Sequence, residues 1–250
     1  MTNYDAVLIS PHLDDAIYSC GATIHNLTKK NKTVCVVTVF SGLPEFGELS
    51  EFAADIHERW QQDTENAEHP VLVRQREDTN ACKLLGADFI HLNYLDCIYR
   101  KNQDQWLYDS EESLFGPLHE EDSKLSLTIQ EEISELDGIG PETNIYAPLA
   151  LGEHVDHNLV YQSMKNSEFQ NIHFYEDYPY AENYPLLDEE IGQRLSKSEF
   201  PVNLEDVESR IQAMGKYESQ ISTFWKDKTE LAKKIIDRWE KQNQSEVYWK

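Results

Sequence analysis

In VLISPHLDDAIYSCGATI, residues 7–24, one histidine and two consecutive aspartates directly follow an apolar run. If the chain turns into a helix after Pro11, His12 and Asp15 stand three residues apart and converge on one point, while Asp14 projects elsewhere. An imidazole and a carboxylate together suit a borderline divalent ion such as Zn²⁺, with Asp14 left beside it as an unligated carboxylate. Aspartates also cap helices, so this segment alone reads equally well as half of a metal site or as a capped helix with a packed histidine. The stretch YAPLALGEHVDHNLV, residues 146–160, repeats the pattern, and His154 and His157 are again three apart. One of these two supplies a third ligand, and two histidines with one aspartate leave the open fourth position of a catalytic zinc site.

Such clusters need strands that end side by side. Residues 5–10 and 33–41 are short β-branched apolar runs, and Ile17, Cys20, Ile24 and Leu27 recur between them at helical spacing. The alternation continues with a helix over 73–85, a strand over 88–95, a helix over 124–136, a strand over 144–149, a helix over 154–166 and a strand over 171–176. Several strands are apolar nearly throughout, which predicts an α/β fold with a Rossmann-like, mostly parallel sheet and helices on both faces. In such sheets ligands bind at the carboxyl ends of the strands, where both clusters fall. Beyond about residue 204 the pattern predicts amphipathic helices to about 243 without further strands, packed on the same single domain of residues 1–250. A homo-oligomer contact is the lesser reading of those helices. The polar stretches 43–72 and 97–123 read as functional rims or partly disordered loops.

The chain carries 46 acidic and 22 basic residues, a formal charge of -24. Nucleic acid and anionic membrane surfaces are repelled by such a chain. No apolar stretch approaches the roughly 20 residues that cross a bilayer, and MTNYDAVLIS lacks the basic start of a signal peptide. Cys20, Cys35, Cys82 and Cys97 are widely spaced among apolar neighbours, as expected of reduced core thiols in a cytoplasmic protein. No GxGxxG fingerprint follows the first strand, so the fold class does not imply a dinucleotide.

The two clusters resemble the signature of the PIG-L or LmbE-like zinc-dependent de-N-acetylases, whose AHPDD-like and HPDH-like motifs stand here as Pro11-His12-Leu13-Asp14-Asp15 and His154-Val155-Asp156-His157. SCGAT (19–23), RQRE (74–77), LDCIYR (95–100) and YEDYPY (175–180) extend the resemblance over roughly residues 5–180. The usual prolines are Leu13 and Val155 here, which returns a backbone donor to each loop. The resemblance implies one Zn²⁺ per chain, with Fe²⁺ or another divalent ion as the alternative, held by His12, Asp15 and His157. It implies Asp14 as general base and His154, in protonated form, as the group facing the oxyanion. Asp156 either holds the His154 imidazole, the favoured reading, or supports a ligand histidine. Ser19, Arg74 and Asp96 match substrate-binding positions, although Arg74 could instead pair with Glu77 or Asp78, and Asp96 could end a strand. Tyr99, Arg100, Glu176 and Asp177 are placed at the pocket rim, and His57, His69 and His119 within reach of it.

The activity implied is hydrolysis of the N-acetyl group of a small-molecule amino sugar or GlcNAc conjugate, releasing acetate and a primary amine. A zinc amidase for a non-sugar N-acyl substrate and a catalytically silent metal-binding protein are the alternatives.

Overall fold

The computed structural model describes residues 3–45, 49–60, 69–140, 142–184 and 187–250. Met1 and Thr2, at the start of the chain, and 46–48 and 61–68, within the predicted 43–72 loop, lie outside them.

Strands and helices alternate as β1 (Ala6–Ser10), α1 (Asp15–Lys29), β2 (Val34–Thr38), α2 (Glu51–Trp60), α3 (Pro70–Leu85) and β3 (Asp88–His91). A small hairpin, β4 (Lys101–Asn102) and β5 (Gln105–Trp106), precedes α4 (Glu111–Leu114) and α5 (Leu125–Glu135). The second half adds β6 (Asn144–Pro148), α6 (Val155–Lys165), β7 (Ile172–Tyr175), α7 (Leu187–Ile191) and β8 (Lys197–Pro201). It closes with α8 (Leu204–Met214), α9 (Glu218–Phe224), α10 (Lys228–Lys241) and β9 (Ser245–Trp249).

The seven-stranded sheet runs β3-β2-β1-β6-β7-β9-β8, and the first five strands in that order are parallel. The α/β architecture expected from the alternation is the one observed. Side chains of β1 divide between two cores, with Ala6 and Leu8 on one face and Val7 and Ile9 on the other. A side chain such as Leu8 or Ile9, fully buried, stabilises the fold by about 1.5–3 kcal/mol. The first core is closed by α1, α3 and the C-terminal helices through Ile17, Leu85, Met214 and Ile235, and the second by α5 and α6 through Ile129, Ile133 and Leu159.

The C-terminal region departs from expectation in containing strands. β9 pairs antiparallel with β7, placing Phe174 opposite Trp249, and β8 pairs antiparallel with β9. β9 begins with the polar pair Ser245 and Glu246, yet Glu246 is buried. Its carboxylate accepts from the Ala22 and Thr23 amides of α1 and pairs with Arg210 at 3.1 Å. The long polar stretches also hold short helices: α2 lies within 43–72, and a 3-10 turn (Cys97–Tyr99) and α4 within 97–123.

The chain proceeds outward from β1 through β2 to β3, then returns to place β6 on the other side of β1. That reversal opens a crevice at the carboxyl ends of β1 and β6. His12 follows β1, and His154 and His157 follow β6.

Candidate active site

The turn after β1 is locked before α1 begins. Ser10 Oγ donates to the His12 carbonyl and accepts from the Ala16 amide at 2.9 Å, and the His12 amide donates to Asp15 Oδ2 at 2.8 Å. These bonds replace the rigidity a proline at Leu13 would give. Asp14 occupies the N-cap position, but its side chain makes no capping bond. Its backbone is held at φ 152, a conformation that a non-glycine residue adopts only when its surroundings impose it. The capping explanation of this aspartate therefore fails, and its carboxylate stays available in a buried position.

The loop after β6 is similarly constrained, with Ala150, Gly152 and Glu153 all at positive φ. At Gly152 a Cβ would meet the Tyr180 ring at 3.0 Å, so the loop and the wall of the crevice fit only with glycine there. α6 is capped by a histidine: His154 Nδ1 accepts the Asp156 amide at 3.2 Å, which leaves the proton of a neutral His154 on Nε2.

The two clusters meet. Asp15 Oδ2 lies 3.2 Å from His12 Nδ1 and 3.2 Å from His157 Nε2. One nitrogen from each of His12, His154 and His157 lies within 4.8 Å of the other two. The far nitrogen of each histidine facing Asp15 rests on a second carboxylate. His12 Nε2 is 3.0 Å from Asp156 Oδ2, and His157 Nδ1 is 2.7 Å from Asp177 Oδ1. A carboxylate can only accept, so these outer nitrogens carry hydrogen and the inner ones turn lone pairs toward Asp15. Two nitrogen lone pairs and a carboxylate oxygen at 3.2 Å repel one another unless a cation or a proton joins them, and this donor set fits a divalent ion. Titration points the same way. Burial pulls both imidazoles down, but Asp96, Asp15 and Asp156 hold His12 well above the usual range, and Asp15 and Asp177 raise His157 to about 9. Asp15 is held well below the carboxylate range, because His157 and His12 outweigh its burial.

Asp14 is shifted in the opposite direction to its neighbour Asp15. Burial pushes it up to about 8, against the Arg74 guanidinium 3.6 Å away and with Asp15 adding like charge. His154 differs from the protonated form implied by the family resemblance: burial and the neighbouring His12 hold it well below the usual imidazole range, so it faces the cleft as a neutral Nε2–H donor.

Asp156 holds the His154 imidazole through its backbone amide, whereas its carboxylate, which the favoured reading placed on His154, is turned elsewhere. Its Oδ2 is engaged with His12 and the Cys97 amide, and its Oδ1 lies 2.7 Å from Arg100. Sequence spacing could not show this, because the choice between the two histidines is made by the loop that carries Arg100. Arg74 is buried instead of pairing with Glu77 or Asp78. It lies over the Trp60 ring at 4.4 Å and lines a cleft of about 140 Å³ with His12, Asp14, Asp96 and His154. Asp96 caps the 3-10 turn and also faces His12 Nε2 at 3.7 Å. Ser19 does not join the lining; its Oγ accepts the Tyr178 amide at 3.1 Å. Glu176 and Asp177 lie inside the fold and not at its rim, with Glu176 tied to Arg238, Gln242 and Trp249. Tyr99 and Arg100 border a neighbouring cavity of about 480 Å³, and His57 is hydrogen-bonded to Tyr99 at 2.6 Å. His69 and His119 both serve as helix caps, and neither lines the cleft. Tyr18, Trp60, Gln220 and Phe224 also line the cleft, together with Tyr180 of the YEDYPY stretch. Their hydrophobic or amphipathic spacing marks them equally well as core.

Residues 7–167 match the family described as PIG-L: GlcNAc-PI de-N-acetylase. The chain belongs to this family. Among PIG-L relatives, a 2'-N-acetylparomamine deacetylase of Niallia circulans is 31% identical over 189 residues, covering 71% of this chain and 68% of the relative. A deacetylase of teicoplanin biosynthesis, solved as a bog complex, superposes with a TM-score of 0.78 at 27% identity, covering 98% of this chain and 96% of that one. A zinc-inhibited form of a teicoplanin deacetylase gives 0.76 at 28% identity, with the same coverage. No helix among the described residues is long and apolar enough to cross a membrane.

Proposed function

We propose that this chain is a zinc-dependent hydrolase that removes the acetyl group from an N-acetylated amino sugar of a small glycoconjugate, releasing acetate and a primary amine. The observation that carries this reading is the buried Asp14 carboxylate, facing Arg74 at 3.6 Å beside the His12, Asp15 and His157 donor set, in a cleft that His154 also lines. His12, Asp15 and His157 would hold the ion. When bound, a divalent ion would supply Lewis-acid chemistry there, polarising the acetyl carbonyl and lowering the pKa of water toward about 7.

Asp14 takes a proton from the attacking water and later delivers it to the leaving nitrogen. A carboxylate held beside the donor set without being one of the three ligands is positioned for both transfers. The neutral His154 Nε2–H donates to the oxygen that becomes negative as the carbonyl turns tetrahedral. Asp156 and Asp177 fix the rings of His12 and His157, and Arg74 and Asp96 present a donor and an acceptor to the sugar. The acidic composition and the cleft of about 140 Å³ agree with a small, neutral or cationic substrate. The relatives named above are all deacetylases, one of 2'-N-acetylparomamine and two of teicoplanin. The C-terminal helices share the core and the cleft wall with the first 180 residues, which supports reading 1–250 as one domain.

The test is metal analysis of the purified protein coupled to amine release over a panel of N-acetylated glycosides, including aminoglycoside precursors. Stoichiometric zinc with release from at least one glycoside is expected. Bound metal with release only from non-sugar N-acetyl amides would overturn the substrate class, and stoichiometric Fe²⁺ would overturn the metal.

A further inference from the structure

Two buried polar atoms on the cleft wall have no hydrogen-bond partner among the described residues: the Tyr18 hydroxyl and Arg74 Nε. Tyr18 is 1% exposed, yet it lies one helical turn beyond Asp14 and lines the same cleft. Its ring is fixed edge-on by Tyr217 at 5.4 Å and Trp225 at 5.3 Å, so the hydroxyl cannot swing away to find a partner elsewhere. The wall around it is completed by Gln220 and Phe224 of α9, a helix that lies beyond the segment matching the PIG-L family. A buried hydroxyl without a partner is unfavourable, and such a group facing a cleft is satisfied when a ligand brings the missing atom.

Resting on the deacetylase reading, we infer that Tyr18 is a specificity-determining residue whose hydroxyl bonds a ring hydroxyl next to the acetamido carbon of the substrate. The chemistry of the pair selects this group. A phenol both donates and accepts, whereas Arg74 Nε–H only donates. A sugar hydroxyl answers both, while an ammonium in that place could not accept from Arg74 and would be repelled by it. Within the family fold, Tyr18 and α9 thus set which amino sugars are accepted, and the metal ligands and Asp14 set the reaction.

The experiment compares kcat/KM for N-acetylglucosamine and 3-deoxy-N-acetylglucosamine, in the wild type and in Tyr18→Phe, with the binding of glucosamine and 3-deoxyglucosamine measured by calorimetry. One neutral hydrogen bond corresponds to roughly a tenfold preference for the hydroxylated compound. The wild type is expected to show it, in KM and in binding more than in kcat, and Tyr18→Phe is expected to show a clearly smaller preference, because only the Arg74 bond to that hydroxyl remains. Phenylalanine keeps the ring packing, and an unchanged melting temperature verifies the fold. An equal preference in wild type and Tyr18→Phe, or none in the wild type, overturns the inference and leaves the deacetylase reading intact. A wild type that neither cleaves nor binds any amino sugar overturns the deacetylase reading and the inference together.

Discussion

Asp177 touches no substrate position, yet His157 depends on it. Its Oδ1 lies 2.7 Å from His157 Nδ1 and its Oδ2 accepts the Leu151 amide at 3.0 Å, so both oxygens must be acceptors. In Asp177→Asn one of them becomes an NH2 group. If the amide oxygen stays on His157, the NH2 confronts the Leu151 N–H as donor against donor; if it turns over, His157 Nδ1 loses its acceptor. Either arrangement leaves a buried group unsatisfied, at about 1–3 kcal/mol, and removes the negative charge that makes His157 a better ligand. The expected result is a 10- to 100-fold weaker metal affinity, measured by competition with a chromophoric chelator. Activity should recover substantially at saturating metal, because Asp14 and His154 are untouched. A metal affinity within twofold of the wild type would refute the placement of His157 as an oriented ligand.

Arg100 is buried between Asp156 at 2.7 Å and Asp122 at 3.0 Å, so Arg100→Met leaves two uncompensated carboxylates. A loss of roughly 3–5 kcal/mol in denaturant unfolding is expected, together with weaker metal binding through His12. Burial, with His69 and Arg74 nearby, lowers His57 from 6.5 to about 4. The unfolded chain then binds a proton that the folded one refuses, and stability is lost as pH falls from 6.5 through 4. Melting temperatures across this range should fall less steeply in His57→Gln than in the wild type; identical acid limbs would argue that His57 titrates normally.

The parallel half of the sheet and the meeting of the two clusters were legible in the sequence because its strands are short, largely apolar runs and because β1 and β6 are each followed within a few residues by their histidines and aspartates. β9 was not, since Ser245 and Glu246 leave only three apolar residues in it, and the buried Glu246 is stabilised chiefly by amides of α1 and by Arg210, partners more than thirty residues distant in sequence. β8 was obscured by Pro201 and by the alternate exposure of an edge strand. Within the site, residue types marked the metal cluster, but the engagement of Asp156 with His12 depends on a loop whose path no local pattern encodes. Asp177 lay within a recognisable stretch, YEDYPY, yet only the fold turns it inward onto His157.

The division of labour between Asp15, holding metal, and Asp14, moving protons, is tested most directly by Asp14→Asn, assayed for bound zinc and amine release on the same sample. Zinc should remain stoichiometric while release falls by roughly 10²- to 10⁴-fold, the usual contribution of a positioned acid–base group. Release within a few fold of the wild type, with zinc retained, would contradict the assignment of Asp14 as the proton carrier.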